Sequence, residues 1–144
     1  MSRKQIPLEV ELRVRLTAGY CCGYCLAPPH LLPWELELEH LLARANGGTD
    51  DEANLWLVCR SCNCFKGIQS YALDPLTNRR LRLFNPRRQK WGTHFKWGAD
   101  GTQIIGLTAT GRATVSALKL NNPFAVAARR EWVSAGWHPP NDKH

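Results

Sequence analysis

Val58 to Gly67 reads VCRSCNCFKG, and it packs three cysteines, an asparagine and a lysine into ten residues. Cys59 and Cys62 stand in the C-x2-C spacing, at which two thiolates on one tight turn reach a single tetrahedral zinc about 2.3 Å away. A second such pair, Cys22-Gly-Tyr-Cys25, lies upstream and completes a set of four ligands. The 33 residues between Cys25 and Cys59 mean that one zinc ties the start of a core to its final helix and loops out the strands between. Cys21 and Cys64 break the spacing and are expected to be small packed side chains. A redox role for either pair is disfavoured, because no βαβ pattern surrounds it.

The redox setting supports a metal. The stretch MSRKQIPLEVE lacks the apolar segment of a signal peptide, and no apolar run approaches the roughly 18 residues of a membrane span. A cytoplasmic chain without a membrane partner is expected, and in a reducing compartment clustered thiols bind metal more often than they pair as disulfides. All six cysteines precede residue 65.

Working outward, Leu8, Val10, Leu12, Val14 and Leu16 alternate like a strand. Pro7, Gly19 and the i, i+4 pairs Glu9–Arg13 and Glu11–Arg15 favour a helix instead. After the proline-broken loop APPHLLP, Trp34 to His40 alternates as a half-buried strand, and Leu55 to Val58 returns as its hairpin partner across a polar connection pivoting on Gly47-Gly48. A helix from about Arg60 to Gln69 follows.

Charge divides the chain. Residues 1–70 carry seven Lys or Arg against eight acids, whereas residues 71–144 carry twelve against four, so the net +7 belongs to the second half. A polyanion would sit there. In that half we expect an ordered basic arm rather than a second hydrophobic core, with a hairpin around Asp100-Gly101 and helices near Gly111–Leu120 and Pro123–Ala135. Asn122 would cap the last helix and Gly136 would stop it.

Between the two cysteine pairs come Glu39-His40, Gly47-Gly48, Asn54-Leu55 and then Asn63 directly after Cys62, with Lys66 three residues on. In this order, over about residues 19 to 67, the chain resembles the HNH family of nucleases. The resemblance implies a ββα-metal core, in which a two-strand hairpin and a helix surround one catalytic cation. The whole is then an α+β protein: a zinc-stabilised HNH core over residues 1–70, followed by a basic, aromatic-rich extension over residues 71–144 packed on it.

Carried over to these positions, the resemblance makes His40 the general base and Asn54 the residue that steadies the loop and the base. Glu39 and Asn63 become ligands of a catalytic divalent metal, Mg²⁺ or Mn²⁺, beside the structural Zn²⁺ on Cys22, Cys25, Cys59 and Cys62. Glu39 stands where many members have Asp and Asn63 where many have His; both offer oxygen and favour a hard cation. The chemistry agrees, since an imidazole with an ordinary pKa of about 6.5 accepts a proton from water at neutral pH. Arg44 and Lys66 are equally consistent with phosphate contacts and with solvated surface charges.

Arg79, Arg80, Arg82, Arg87, Arg88 and Lys90 alternate with aromatic residues in the way of a nucleic-acid groove, cations for phosphates and rings for packing or stacking. Phe84 and Trp97 are expected to pack internally while the arginines track DNA. The expected function is therefore a metal-dependent endonuclease hydrolysing DNA phosphodiesters. The alternatives are a non-catalytic, zinc-stabilised nucleic-acid-binding module and a zinc-bearing domain that meets an acidic protein.

Overall fold

The alternating apolar residues near the start form a helix. In the computed structural model, which describes residues 6–140, α1 spans Leu8–Thr17 behind Pro7 and ends at Ala18, where Tyr20 N–H reaches back to the Arg15 carbonyl at 3.0 Å. Alternation wound onto a helix splits its apolar residues between two sides. Val14 is buried, while Leu8, Leu12 and Leu16 stay exposed. Glu11 pairs with Arg15 at 3.0 Å as expected, but Arg13 turns to Glu52 at 2.8 Å. Arg3 and Lys4, included in the charge balance, lie outside the described residues.

The described chain divides into two compact units at Ser70/Tyr71. In the first, β1 (Glu37–His40) and β2 (Leu55–Val58) form an antiparallel hairpin that pairs Glu37 with Val58 and His40 with Leu55. β1 starts three residues later than the alternation from Trp34 suggests: Trp34 is exposed, with the Arg60 guanidinium 4.4 Å above its ring. All four residues of β2 are buried. α2 (Arg60–Lys66) follows and ends at Gly67, whose φ of +53° the helix cannot continue through, so it falls short of Gln69.

The β1–β2 connection explains its paired glycines. Gly47 has φ +93°, and a Cβ on Gly48 would lie 1.7 Å from the Leu42 carbonyl oxygen. The chain closes on itself where only glycine fits.

The second unit corrects the expectation of an arm without a core. It contains the hairpin β3 (Tyr71–Leu73)/β4 (Arg80–Arg82), the turn of helix α3 (Trp91–His94), the hairpin β5 (Phe95–Trp97)/β6 (Ile104–Gly106), and helices α4 (Ala109–Ala117) and α5 (Pro123–Ser134). Phe84, Phe95, Ile104, Ala113, Leu118 and Leu120 are buried as a core. Strands of three residues are too short to show alternation, and the aromatic residues that resembled a groove pack on one another: Phe84 on Phe95 at 5.0 Å and Trp91 on Phe95 at 5.2 Å between ring centres. Asp74, fully buried, takes both nitrogens of Arg112 at 2.9 Å. Asn122 caps α5 through Ala125 N–H, and Gly136 follows its end with φ +82°. Among the described residues, no helix is long and apolar enough to cross a membrane.

Candidate metal centre and active site

The two knuckles meet because each is fastened to β2. Gly23 N–H, inside the first, donates to the Leu57 carbonyl at 2.9 Å, and Cys59 directly follows the strand. The sulfurs of Cys22, Cys25, Cys59 and Cys62 all lie within 4.8 Å of one another. Cys25 Sγ and Cys59 Sγ are 3.7 Å apart, far beyond a disulfide bond and close to the edge of about 3.8 Å that four sulfurs around zinc define. Backbone N–H groups of Tyr24 and Cys62 donate to the sulfurs of Cys22 and Cys59.

The electrostatics fit a cation. S–H groups of Cys22, Cys25 and Cys62 drive the Cys59 thiol far below its ordinary range, while the Cys25 and Cys62 thiols are pushed up by their sulfur neighbours. Four sulfurs at this separation are therefore compatible with zinc. Outside the cluster, Cys21 is buried, its thiol pushed up to about 11 by desolvation, and Cys64 is exposed.

Glu39 and His40 are consecutive in β1 and so point to opposite faces. Glu39 faces inward beside Tyr24 and Lys66 and is almost wholly buried. Lys66 Nζ lies 3.2 Å from Glu39 Oε1 and also donates to the carbonyls of His40 and Leu41 at 3.3 and 3.4 Å. Lys66 is thus neither a phosphate contact nor a solvated charge; it pins the end of β1. Burial, outweighing the attraction of Lys66, pushes the Glu39 carboxyl up, and burial together with the Glu39 charge pushes the Tyr24 hydroxyl well above its ordinary range.

Asn63, on α2, donates Nδ2 to Glu37 Oε1 at 2.9 Å, and Glu37 also meets Arg60 at 3.5 Å. This contact uses the NH₂ side of the amide and leaves Oδ1 as its donor oxygen. The Glu39 carboxylate is buried and ion-paired with Lys66, so of the two expected ligands it is the Asn63 amide oxygen that the structure leaves as an oriented donor for a hard cation. Glu37, which orients the Asn63 amide, was not singled out by spacing. Its alternation with Glu39 on β1 is the signal that could have found it.

His40 emerges on the other face of β1, a fifth of its side chain exposed. It lines an open cleft of about 520 Å³ shared with Glu11, Arg15, Glu37 and Arg60. His40 Nε2 lies 2.8 Å from Asp50 Oδ1, and Arg44 touches both: its Nε is 3.2 Å from Nε2, and its NH₂ group contacts the same carboxylate oxygen. The hydrogen bond from His40, then the Arg44 guanidinium, hold the Asp50 carboxyl below its ordinary range. Asp50 lies in a turn-rich acidic stretch where spacing carries no information about it.

Asn54 reaches into the same connection. Its Oδ1 accepts from Leu42 N–H at 2.8 Å, and its Nδ2 donates to the carbonyls of Leu42 and Thr49 at 3.0 and 2.8 Å. It clasps the start of the connection to the residue before Asp50.

The six basic residues expected to track DNA all lie in the second unit. Arg79, Arg80, Arg82, Arg88 and Lys90 are exposed and Arg87 is half-buried. Arg80 and Arg82 stack on Tyr71, 4.3 and 5.0 Å from its ring centre. His94 is half-buried, 2.6 Å from Thr108 Oγ1.

Among known proteins, the family model described as HNH endonuclease matches residues 22–67, about a third of the chain, and this segment contains both knuckles, the β1–β2 hairpin and α2. No curated protein and no solved structure matches the chain.

Proposed function

Taking residues 22–67 as an HNH domain, we propose that the protein is an endonuclease that hydrolyses DNA phosphodiester bonds, with His40 accepting the proton of the attacking water. The carrying observation is the position of His40: inside the matched segment, its imidazole lines an open cleft and is hydrogen-bonded to a carboxylate. Arg15 and Arg60 stand on the cleft wall, each paired there with a carboxylate, Glu11 and Glu37.

On the cleft face, His40 takes the water proton as the oxygen attacks phosphorus. Glu39 and the Oδ1 of Asn63 would hold the cation, with Glu37 fixing the amide. The chemistry supplied there by Mg²⁺ or Mn²⁺ would be neutralisation of the charge that develops on the leaving oxygen. Asn54 keeps the loop around His40 closed. Cys22, Cys25, Cys59 and Cys62 would hold zinc and so fix the start of α2, and with it Asn63. Arg79, Arg80, Arg82, Arg87, Arg88 and Lys90 track the DNA backbone.

Incubation of the purified chain with supercoiled plasmid and Mg²⁺ or Mn²⁺, beside His40→Ala, tests the reading. Nicking by the native chain and a loss of about 10²- to 10⁴-fold in the variant is expected for a general base. Equal nicking by both, or by neither, sinks the nuclease reading and leaves a zinc-stabilised nucleic-acid-binding module in its place.

A further inference from the structure

We propose that Asp50 is the positioning residue of His40: its carboxylate holds the imidazole as the Nε2–H tautomer, which leaves Nδ1 as the atom that takes the proton from water. The inference rests on the reading of His40 as the base, but its first half concerns the ring alone.

One ring nitrogen meets two partners. Nε2 lies 2.8 Å from Asp50 Oδ1 and 3.2 Å from Arg44 Nε, and it cannot both donate to the carboxylate and accept from the guanidinium. Were Nε2 the acceptor, its lone pair would face the carboxylate lone pairs at 2.8 Å, a repulsive arrangement. With the proton on Nε2, the same distance is a charge-assisted hydrogen bond, and that shorter bond replaces the 3.2 Å bond which Arg44 Nε–H donates to Nε2 in the other tautomer. Through its NH₂ group Arg44 keeps the carboxylate ionised and aimed.

The contact is built into the fold. Asp50 follows Thr49, whose carbonyl Asn54 holds at 2.8 Å, and Asn54 also grips Leu42, two residues after His40. Both ends of the His40–Asp50 span are thereby fixed to one side chain at the start of β2. Both partners are about four-fifths sheltered.

The step balances without Asp50 changing state. Water loses a proton to Nδ1 while its oxygen forms the new bond to phosphorus. The bond from phosphorus to the leaving oxygen breaks with its electron pair, and that oxygen is protonated from solvent. Asp50 stays a carboxylate and stabilises the imidazolium.

The test uses the zinc-loaded full chain and its Asp50→Ala and Asp50→Asn variants. Nitrogen-15 spectra at a pH where His40 is neutral, assigned by difference with His40→Gln, report which ring nitrogen carries the proton. Expected in the native chain is a single Nε2–H tautomer, and in Asp50→Ala a mixture of both. Plasmid turnover should fall about 10- to 100-fold through kcat, with KM moving less than about twofold. If Asp50→Ala does not fold, as judged by zinc content, Asp50→Asn is read through turnover: its Oδ1 still accepts from Nε2–H and keeps the tautomer, while loss of the charge lowers kcat. A native Nδ1–H tautomer, an Nε2–H tautomer that survives Asp50→Ala, or unchanged kcat in either variant overturns the proposal. Failure of the base reading shows separately, as full activity in His40→Ala, because the tautomer is read without turnover.

Discussion

Lys66 Nζ lies 3.2 Å from Glu39 Oε1, with only 4% and 1% of the two side chains exposed. The pair welds the last turn of α2 to the end of β1, one residue before His40. Removing one partner leaves a buried charge without its counter-charge, so Lys66→Met should destabilise the first unit by about 3–5 kcal/mol. Adding Glu39→Gln to Lys66→Met should recover part of that loss. Denaturant titration of both variants checks the two values, and equal stability of Lys66→Met and the native chain would rule out a structural pair.

Asn54→Ala removes three side-chain hydrogen bonds from the β1–β2 connection, and a loss of about 1–3 kcal/mol is expected. Hydrogen exchange localises the effect. The Leu42 amide, bonded to Asn54 Oδ1, should lose protection, while the Leu41 amide, bonded to the Asn54 backbone carbonyl at 2.8 Å, should keep it.

Metal analysis of the native chain should give about one zinc per chain, retained by His40→Ala and absent from Cys22→Ser. Because binding free energy at such a site is folding free energy, a strong chelator should collapse the amide NMR dispersion of residues 1–70. The second unit has its own core, and its resonances should persist. A first unit that stays folded without metal contradicts the zinc assignment.

Asp74 gives the second unit an acid limit. The Arg112 guanidinium, then Thr77 and the Leu76 N–H, hold its carboxyl far below the carboxylate range. A folded-state pKa below the unfolded one contributes stability that is complete above the unfolded value of about 4 and is lost as pH falls towards the folded value. Melting temperature followed by tryptophan emission should therefore drop below about pH 4. Asp74→Asn should be less stable at neutral pH and show a flatter acid limb.

If the exposed arginines of β4 meet DNA phosphates, Arg80→Gln with Arg82→Gln should lower the slope of log K against log salt by about 2, one for each phosphate that is no longer neutralised. An unchanged slope places the DNA elsewhere.

Spacing made the thiol cluster legible, because C-x2-C is a local geometric demand that survives any surrounding context. The caps at Asn122 and Gly136 were legible for the same reason: they are decided within a few residues. What stayed hidden depends on distant partners. Nothing local distinguishes Lys66, buried against Glu39, from a solvated lysine at the same place, and Asp50 looks like any acid of a polar turn until the chain brings it to His40. The core of the second unit was concealed by its own composition. Arg80-Leu81-Arg82 reads as a basic tract, although its register against Tyr71–Leu73 makes it a strand.

The sulfur of Cys59 accepts the Cys62 N–H and so caps α2 while standing at one corner of the thiol cluster. Cobalt(II) in place of zinc would put a chromophore on that cap. Seven residues of helix, Arg60 to Lys66, hang from that cap, so an unwinding of α2 would reach the cobalt as a change of ligand field. The protein would then carry its own optical probe of the active helix, readable by colour alone and without any attached label.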